Sequence, residues 1–248
     1  MGKRVELLDH GYVEFIESWG SDERIIESAR MSTSGGFVSW DPYQGHPSGD
    51  FGLLKHLHGH KHTTPFEMAG MVIEVQAPIM VFREWHRHRT QSYNEMSARY
   101  TPLPDVNYVP TTERLLTPGQ SHNKQSGTIK GAEALDYDTV VAYQDRLDQM
   151  YVDQQMLYEW ALQAGVPKEL ARVHLGVGRY SRMRASANLK NWLDFLTLRL
   201  APEAQWEIRQ YAAAVGGFIS ELFPRTWSLF TGSSHAPSQD HICPGSEV

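Results

Sequence analysis

The sequence predicts one α+β domain, rich in helix and with a small sheet. Three observations carry that expectation. No break in composition, internal repeat or low-complexity tract divides the 248 residues. Apolar residues recur at helical spacing across 137–164. Two short segments, 71–76 (MVIEVQ) and 179–187 (RYSRMRASA), read as strands. With 41% hydrophobic and 21% charged residues, the chain has the profile of a folded domain that can bury a substantial core.

Taken in order, residues 4–30 read as a short strand followed by a helix. Ser21 is placed to cap that helix, without a full capping box, because Arg24 stands where Glu or Gln would be needed. Residues 32–50 are rich in Gly, Ser, Asp and Pro and read as loop. Residues 51–62 read as helix, 71–76 as a strand bounded by Gly70 and Pro78, and 79–88 as helix. Residues 100–135, with Pro102, Pro104, Pro110 and Pro118, look irregular, and a loop of that length is either functional or ordered by a partner chain. A long amphipathic helix is expected over 137–164, capped by Asp136, with Val140, Val141, Leu147, Met150, Tyr151, Leu157, Trp160 and Ala161 as its apolar positions. Gly165 ends it and Pro167 suits the first turn of the next helix. Asn188 is placed to cap a helix running to about Arg199. Pro202 is expected to open a last helix that Pro224 stops, and a mobile tail is expected from about residue 231. The domain is therefore taken as 1–248.

Charge and cysteine content narrow the function. Lys plus Arg total 23 against 29 Asp plus Glu, a net charge of −6, which makes a general nucleic-acid binder a poor reading. No apolar run reaches the roughly 20 residues needed to span a bilayer, and the N-terminus shows no secretory signal, so a cytoplasmic protein with no membrane partner is expected. Cys243, the single cysteine, excludes an internal disulfide.

Four regions carry candidate chemistry. His56, His58, His60 and His62 include two i, i+4 pairs, a spacing that suits a metal, but no Glu or Cys accompanies them; an exposed helix face is the simpler account, and no metal is assigned. His235, His241 and Cys243 lie in a Pro- and Ser-rich tail, where chance clustering explains them and a held, reactive thiol is not expected. Residues 83–100 are different. Arg83, Arg87, Arg89 and Arg99 alternate there with Gln91, Ser92, Asn94, Glu95 and Ser97, with few apolar residues to pack. A solvated face of ion pairs is the ordinary alternative, yet so many directed donors beside a carboxylate are what a phosphorylated, hydroxylated, planar ligand requires. Arg172, Asn188, Asp194 and Arg199 repeat the theme, although a cap and surface charges would account for them equally well.

Arg87-His88-Arg89, followed after seven residues by Ser97, resembles the signature of the flavin-dependent thymidylate synthases. The likeness extends to His62-Thr63-Thr64-Pro65-Phe66-Glu67, Ala171-Arg172, Asn188, Leu198-Arg199 and Ala204-Gln205-Trp206-Glu207, in order over about 20–227. It implies an antiparallel sheet with long helices, and a homotetramer whose active sites are shared between subunits. It also implies methylation of C5 of dUMP, with carbon from methylenetetrahydrofolate, hydride from reduced FAD, and NADPH as the reductant of the flavin. By position, Thr64, Arg87, His88, Arg89, Glu95, Asn188, Leu189, Lys190 and Asp194 would meet the FAD, with His62 near flavin and folate. Glu84, Arg87, Glu95, Met96, Ser97, Arg99 and Arg172 would hold the nucleotide. Arg199 would face the uracil edge as the catalytic group, where a guanidinium stabilises negative charge on the ring and makes C5 more nucleophilic.

The sequence departs from the family pattern at Glu84 (commonly Gln), Met68 (His), Asp194 (Asn) and Glu203 (His). Two alternatives therefore stand beside dUMP methylation. One is the same chemistry on the ribonucleotide UMP, since a carboxylate at 84 can accept hydrogen bonds from two sugar hydroxyls. The other is a non-catalytic relative that binds nucleotide or flavin.

Overall fold

The computed structural model describes residues 2–117 and 135–232. Part of the 100–135 loop, the tail beyond 232, and with it His235, His241 and Cys243, lie outside the described residues. Five strands, β1 (Arg4–Leu7), β2 (Gly11–Trp19), β3 (Gly70–Pro78), β4 (Ser92–Glu95) and β5 (Tyr180–Asn188), form one antiparallel sheet in the order β1-β2-β3-β5-β4. The N-terminal segment is thus a hairpin where the sequence predicts one strand, and β4 lies inside the Arg-rich stretch. The long central pairing runs from Gly70 opposite Asn188 to Pro78 opposite Tyr180. Gly70 is required there, because a Cβ would lie 2.5 Å from the Ala187 carbonyl oxygen and 2.3 Å from the Trp19 ring.

Along β3 and β5 the side chains alternate, as a sheet with one wet face demands. Met71, Ile73, Val75, Met183, Ala185 and Ala187 are buried on one face, while Glu74, Arg182 and Arg184 pair on the other. The buried face is covered by α7 (Leu189–Arg199) and α8 (Trp206–Leu222), and by α3 (Ile79–Trp85) at one end. Trp85 sits at the meeting point, fully buried, with ring centroids 4.6 Å from Phe195 and 6.4 Å from Tyr211. The remaining helices are α1 (Asp22–Arg30), α2 (Gly49–Gly59), α4 (Thr112–Leu116), α5 (Tyr137–Gln163), α6 (Lys168–Ala171) and α9 (Pro224–Gly232).

The caps follow the sequence: Ser21, Asp136 and Asn188 each accept a backbone N–H three residues on. Four boundaries differ. The helix expected over 51–62 runs from Gly49 to Gly59, so His60 and His62 lie past its last turn. The helix expected over 79–88 stops at Trp85, so that Arg87-His88-Arg89 falls in a turn. The helix expected from Pro202 begins at Trp206. Pro224 stops α8 but also opens α9, where its missing N–H costs nothing. The apolar stripe expected of α5 is only partly inside: Val140 and Ala161 are buried, but Met150, Leu157 and Trp160 are exposed. This helix packs against α4 and α6 and has no sheet beneath it, so much of its stripe meets nothing within the described residues.

The 32–50 segment is loop, as its composition predicts, but it is tied down. Asp50, fully buried at the start of α2, accepts hydrogen bonds from the Val38 N–H (2.7 Å), the Tyr43 hydroxyl (2.7 Å) and the Arg30 guanidinium. Burial alone would raise its pKa; the Val38 N–H, Tyr43 and Arg30 together hold it below the usual range. Its stabilisation is therefore present above the ordinary carboxylate pKa and lost as pH falls through the lowered folded value. Asp50→Asn should cost about 3 kcal/mol in urea unfolding at neutral pH and should flatten the acid limb of the stability–pH curve. A variant within experimental error of the parent would remove Asp50 as the anchor of this loop.

Candidate functional site

The site is built where the ends of α3 and α7 meet. The guanidinium of Arg199, at the C-terminus of α7, reaches the end of α3 with three of its donors. Nη1 donates to Glu84 Oε2 (2.8 Å), Nη2 donates to the Glu84 backbone carbonyl (2.9 Å), and Nε donates to His88 Nε2 (2.8 Å). Arginine carries five N–H groups in a rigid fork, so one on each terminal nitrogen remains for a ligand. Arg199 is mostly buried, its side chain 13% exposed, while Glu84 is 45% exposed.

His88 is the buried member of the Arg-His-Arg turn; Arg87 and Arg89 are exposed. Burial first, and then the Arg199 charge, lower its pKa from 6.5 to about 4. Because Arg199 can only donate, His88 Nε2 must accept, which places the ring proton on Nδ1. The turn is held by the Tyr93 hydroxyl donating to the His88 carbonyl (2.7 Å) and by Asn191 Nδ2 donating to the Thr90 carbonyl (3.0 Å).

Glu84, Arg87 and Arg199 line one cleft of about 910 Å³. Its lining also includes residues that sequence reasoning missed: Tyr108, Arg114 and Tyr151. Arg114 Nε donates to the buried Glu207 carboxylate (2.9 Å), which also accepts from the Tyr108 hydroxyl (3.2 Å). Burial and this carboxylate push the Tyr108 phenol well above its ordinary pKa. The available signal was a helix start, Thr111-Thr112-Glu113-Arg114, inside a segment whose prolines suggested irregular chain; Thr111 Oγ1 does accept the Arg114 N–H.

A second cavity, about 620 Å³, combines an apolar floor of Leu57, Phe66 and Leu193 with a rim that includes Thr63, Lys190 and Asp194. Lys190 and Asp194 pair across one helical turn. Asn188 is engaged as the α7 cap, and Leu189 is fully buried, its N–H bonded to the Ala69 carbonyl. Thr64 lies exposed beside Thr63 at the start of a 3₁₀ turn. His62 is exposed, its ring 5.7 Å from His56 and 6.2 Å from His60, and among the described residues no three His, Cys, Asp or Glu are gathered to hold a metal.

The remaining predicted residues line neither cavity. Glu95 Oε1 accepts from the Ser181 hydroxyl (2.7 Å), and Met96 follows with its N–H on the Arg182 carbonyl. Ser97 opens a turn set against α6, where Arg99 pairs with Glu169 (2.9 Å) and Lys168 donates to the Tyr100 carbonyl (2.9 Å). Arg172 caps the C-terminus of that same helix.

The family model described as thymidylate synthase complementing protein (Thy1) matches residues 14–225. The chain is similar to a flavin-dependent thymidylate synthase of Thermus thermophilus, 37% identical over 226 residues, which are 91% of this chain and 77% of that one. It is similar also to that of Thermotoga neapolitana, 32% identical over 227 residues, 92% of this chain and 94% of that one. Among solved structures, the UMP/dUMP methylase PolB from Streptomyces cacaoi bound with 5-Br dUMP superposes with a TM-score of 0.78 at 31% identity, covering 94% of this chain and 100% of that one. The same methylase bound with 5-Br UMP gives 0.78 at 30% identity, covering 94% and 99%.

His88 yields a direct check on the clamp. In the parent its imidazole should stay neutral from pH 7 down to about 4 when followed by NMR. Arg199→Ala removes a neighbouring positive charge and opens the site to water, and both changes favour the imidazolium, so the His88 pKa should rise toward 6.5. An unshifted titration in that variant would mean Arg199 does not act on His88.

Proposed function

The chain belongs to the flavin-dependent thymidylate synthase family, and from that premise we propose that it methylates C5 of a uridine 5′-monophosphate, dUMP or UMP. The observation that carries the reading is the Arg199 clamp. A guanidinium fixed by three donors, with two left over on a cleft wall, is preorganised to hold the edge of a planar ring. Charge developing on the uracil during attack from C5 is stabilised by a cation that needs no reorganisation. Neutral His88 suits this task, since an imidazolium would push Arg199 away. Arg87 adds a second cation to the same wall.

FAD, when bound, supplies the hydride, methylenetetrahydrofolate the carbon, and NADPH the electrons that restore the flavin. The second cavity fits a flavin in its chemistry: an apolar floor for a planar ring, with Thr63, Lys190 and Asp194 as donors and acceptors at its rim. Thr64, Lys190, Asp194 and the exposed Arg87 and Arg89 would hold the cofactor, with Glu95, Asn188, Leu189 and His62 near it. Ser97, Arg99 and Arg172, with Glu95 and Met96, would complete the nucleotide site.

That these last residues line neither cavity of their own chain supports a site shared between subunits of a homotetramer. So does the exposed apolar surface of α5 and the segment after it, where Met156 is 65%, Trp160 62% and Val173 76% exposed.

The test is tritium release from C5-tritiated dUMP and UMP, with FAD, methylenetetrahydrofolate and NADPH. Release from neither nucleotide by folded, flavin-loaded protein sinks the reading. Arg199→Ala should lower single-turnover oxidation of reduced flavin by roughly 10²-fold, and Arg199→Lys should recover little, because an ammonium cannot reach Glu84, His88 and a ring together. Rates within a few-fold of the parent in both would take Arg199 out of the chemistry. Separately, replacing Arg87 and Arg89 with Ala should yield colourless protein; a full flavin complement in that double variant would refute their role.

A further inference from the structure

The carboxylate of Glu84 stands where it should harm binding. It lines the same cleft as Arg87 and Arg199 and its side chain is 45% exposed, yet the proposed ligand is an anion. A negative charge on that wall repels a nucleotide monophosphate unless the ligand gives it hydrogen bonds in return. The clamp also orients it. Oε2 is held by Arg199 at 2.8 Å, and Oε1 accepts no hydrogen bond from the described residues. With Oε2 fixed on Arg199, Oε1 is the carboxylate oxygen left for a ligand in the cleft that Glu84 lines.

An ionised carboxylate only accepts, so its partner must be a donor of the ligand. A uridine monophosphate has few: the ring N3–H and the sugar hydroxyls. In the methylase reading, on which this inference rests, Arg199 faces the ring edge and favours an N3 that has given up its proton, so the ring offers no donor and the sugar is left. Ribose offers two adjacent hydroxyls and deoxyribose one. A carboxylate on a ribose 2′-hydroxyl is also how dinucleotide-binding folds recognise that sugar. The solved methylase that superposes on this chain has been seen with both 5-Br UMP and 5-Br dUMP, so closely similar backbones admit a 2′-hydroxyl.

We propose that Glu84 reads the sugar of the nucleotide and makes UMP the preferred substrate over dUMP. It is a specificity-determining residue, acting on the ribose through Oε1 while Oε2 stays on Arg199.

The experiment measures binding of UMP and of dUMP by calorimetry to the flavin-loaded protein, in the parent, Glu84→Gln and Glu84→Ala, with tritium release run alongside. The parent should bind UMP about tenfold or more tightly than dUMP. Glu84→Gln keeps a neutral acceptor and should shrink that ratio, since hydrogen bonds to an ionised acceptor are about twice as strong. Glu84→Ala should abolish it. Either variant can bind both nucleotides more tightly, because a repelling charge is gone, so the ratio is the readout.

Arg199 keeps two anchors in Glu84→Ala, His88 and a backbone carbonyl that no side-chain change removes. A His88 titration that stays well below 6.5 in that variant, and does not rise as it should in Arg199→Ala, verifies its place. A parent that binds the two alike or prefers dUMP overturns the proposal. So does a UMP preference that survives in Glu84→Ala, and so does a variant that moves both affinities equally, as a purely structural role or a contact to N3–H would. A UMP preference that Glu84→Ala erases, with no tritium released from either nucleotide, upholds the sugar reading and sinks the methylase reading instead.

Discussion

The arrangement of the cleft depends on one buried cation. Arg199 is set almost out of solvent at the end of α7, and a guanidinium cannot shed its proton to escape the cost of burial. Its surroundings must supply acceptors, and they do: a carboxylate and a backbone carbonyl from Glu84 and a ring nitrogen from His88. These three bonds fasten the end of α3 to the end of α7. The bond from Nε also fixes the tautomer of His88, whose neutrality comes first from burial and then from the Arg199 charge. A single desolvated charge thereby helps to keep one neighbour neutral, orients another, and aims two unspent donors.

That clamp is placed by the sheet. β3 leads directly into α3 at Pro78 and β5 leads directly into α7 at Asn188, and the two strands pair antiparallel along their whole length. The helices therefore leave from opposite ends of one strand pair and run back over its buried face, where Trp85, Trp192 and Phe195 lock them together. The turn carrying Arg87, His88 and Arg89 is pinned by Tyr93 of β4 and Asn191 of α7. Rigidity comes from apolar packing beneath, and the polar groups above inherit it.

The cleft mixes signs. Arg87, Arg114 and Arg199 share it with Glu84, Glu203 and Glu207. Such a surface binds an anion less avidly than a purely basic one, but it discriminates better, because every carboxylate must be satisfied by a donor of the ligand or by a neighbouring arginine. Glu207 is satisfied within the chain, by Arg114 and Tyr108. Among the described residues Glu84 is satisfied on one oxygen alone, and so has capacity left for a ligand.

Much of this was legible in the sequence. The caps at Ser21, Asp136 and Asn188, the strands at 71–76 and 179–187, and the density of arginine around Arg87 follow from local rules, because a cap or a pleat involves residues a few positions apart. The motif order around Arg87, Ser97, Arg172 and Arg199 was enough to identify the family. Tertiary structure alone decided the rest. The Glu84–Arg199 bond joins residues 115 positions apart, and the Arg114–Glu207 pair joins residues 93 apart; no periodicity connects them. The stripe of α5 was readable as apolar but not as exposed, since periodicity says which face of a helix is greasy and never what lies opposite. His88 shows the same division most sharply. Its place in the Arg-His-Arg motif is plain in the sequence, but its neutrality arises only when burial and a distant arginine meet on one ring.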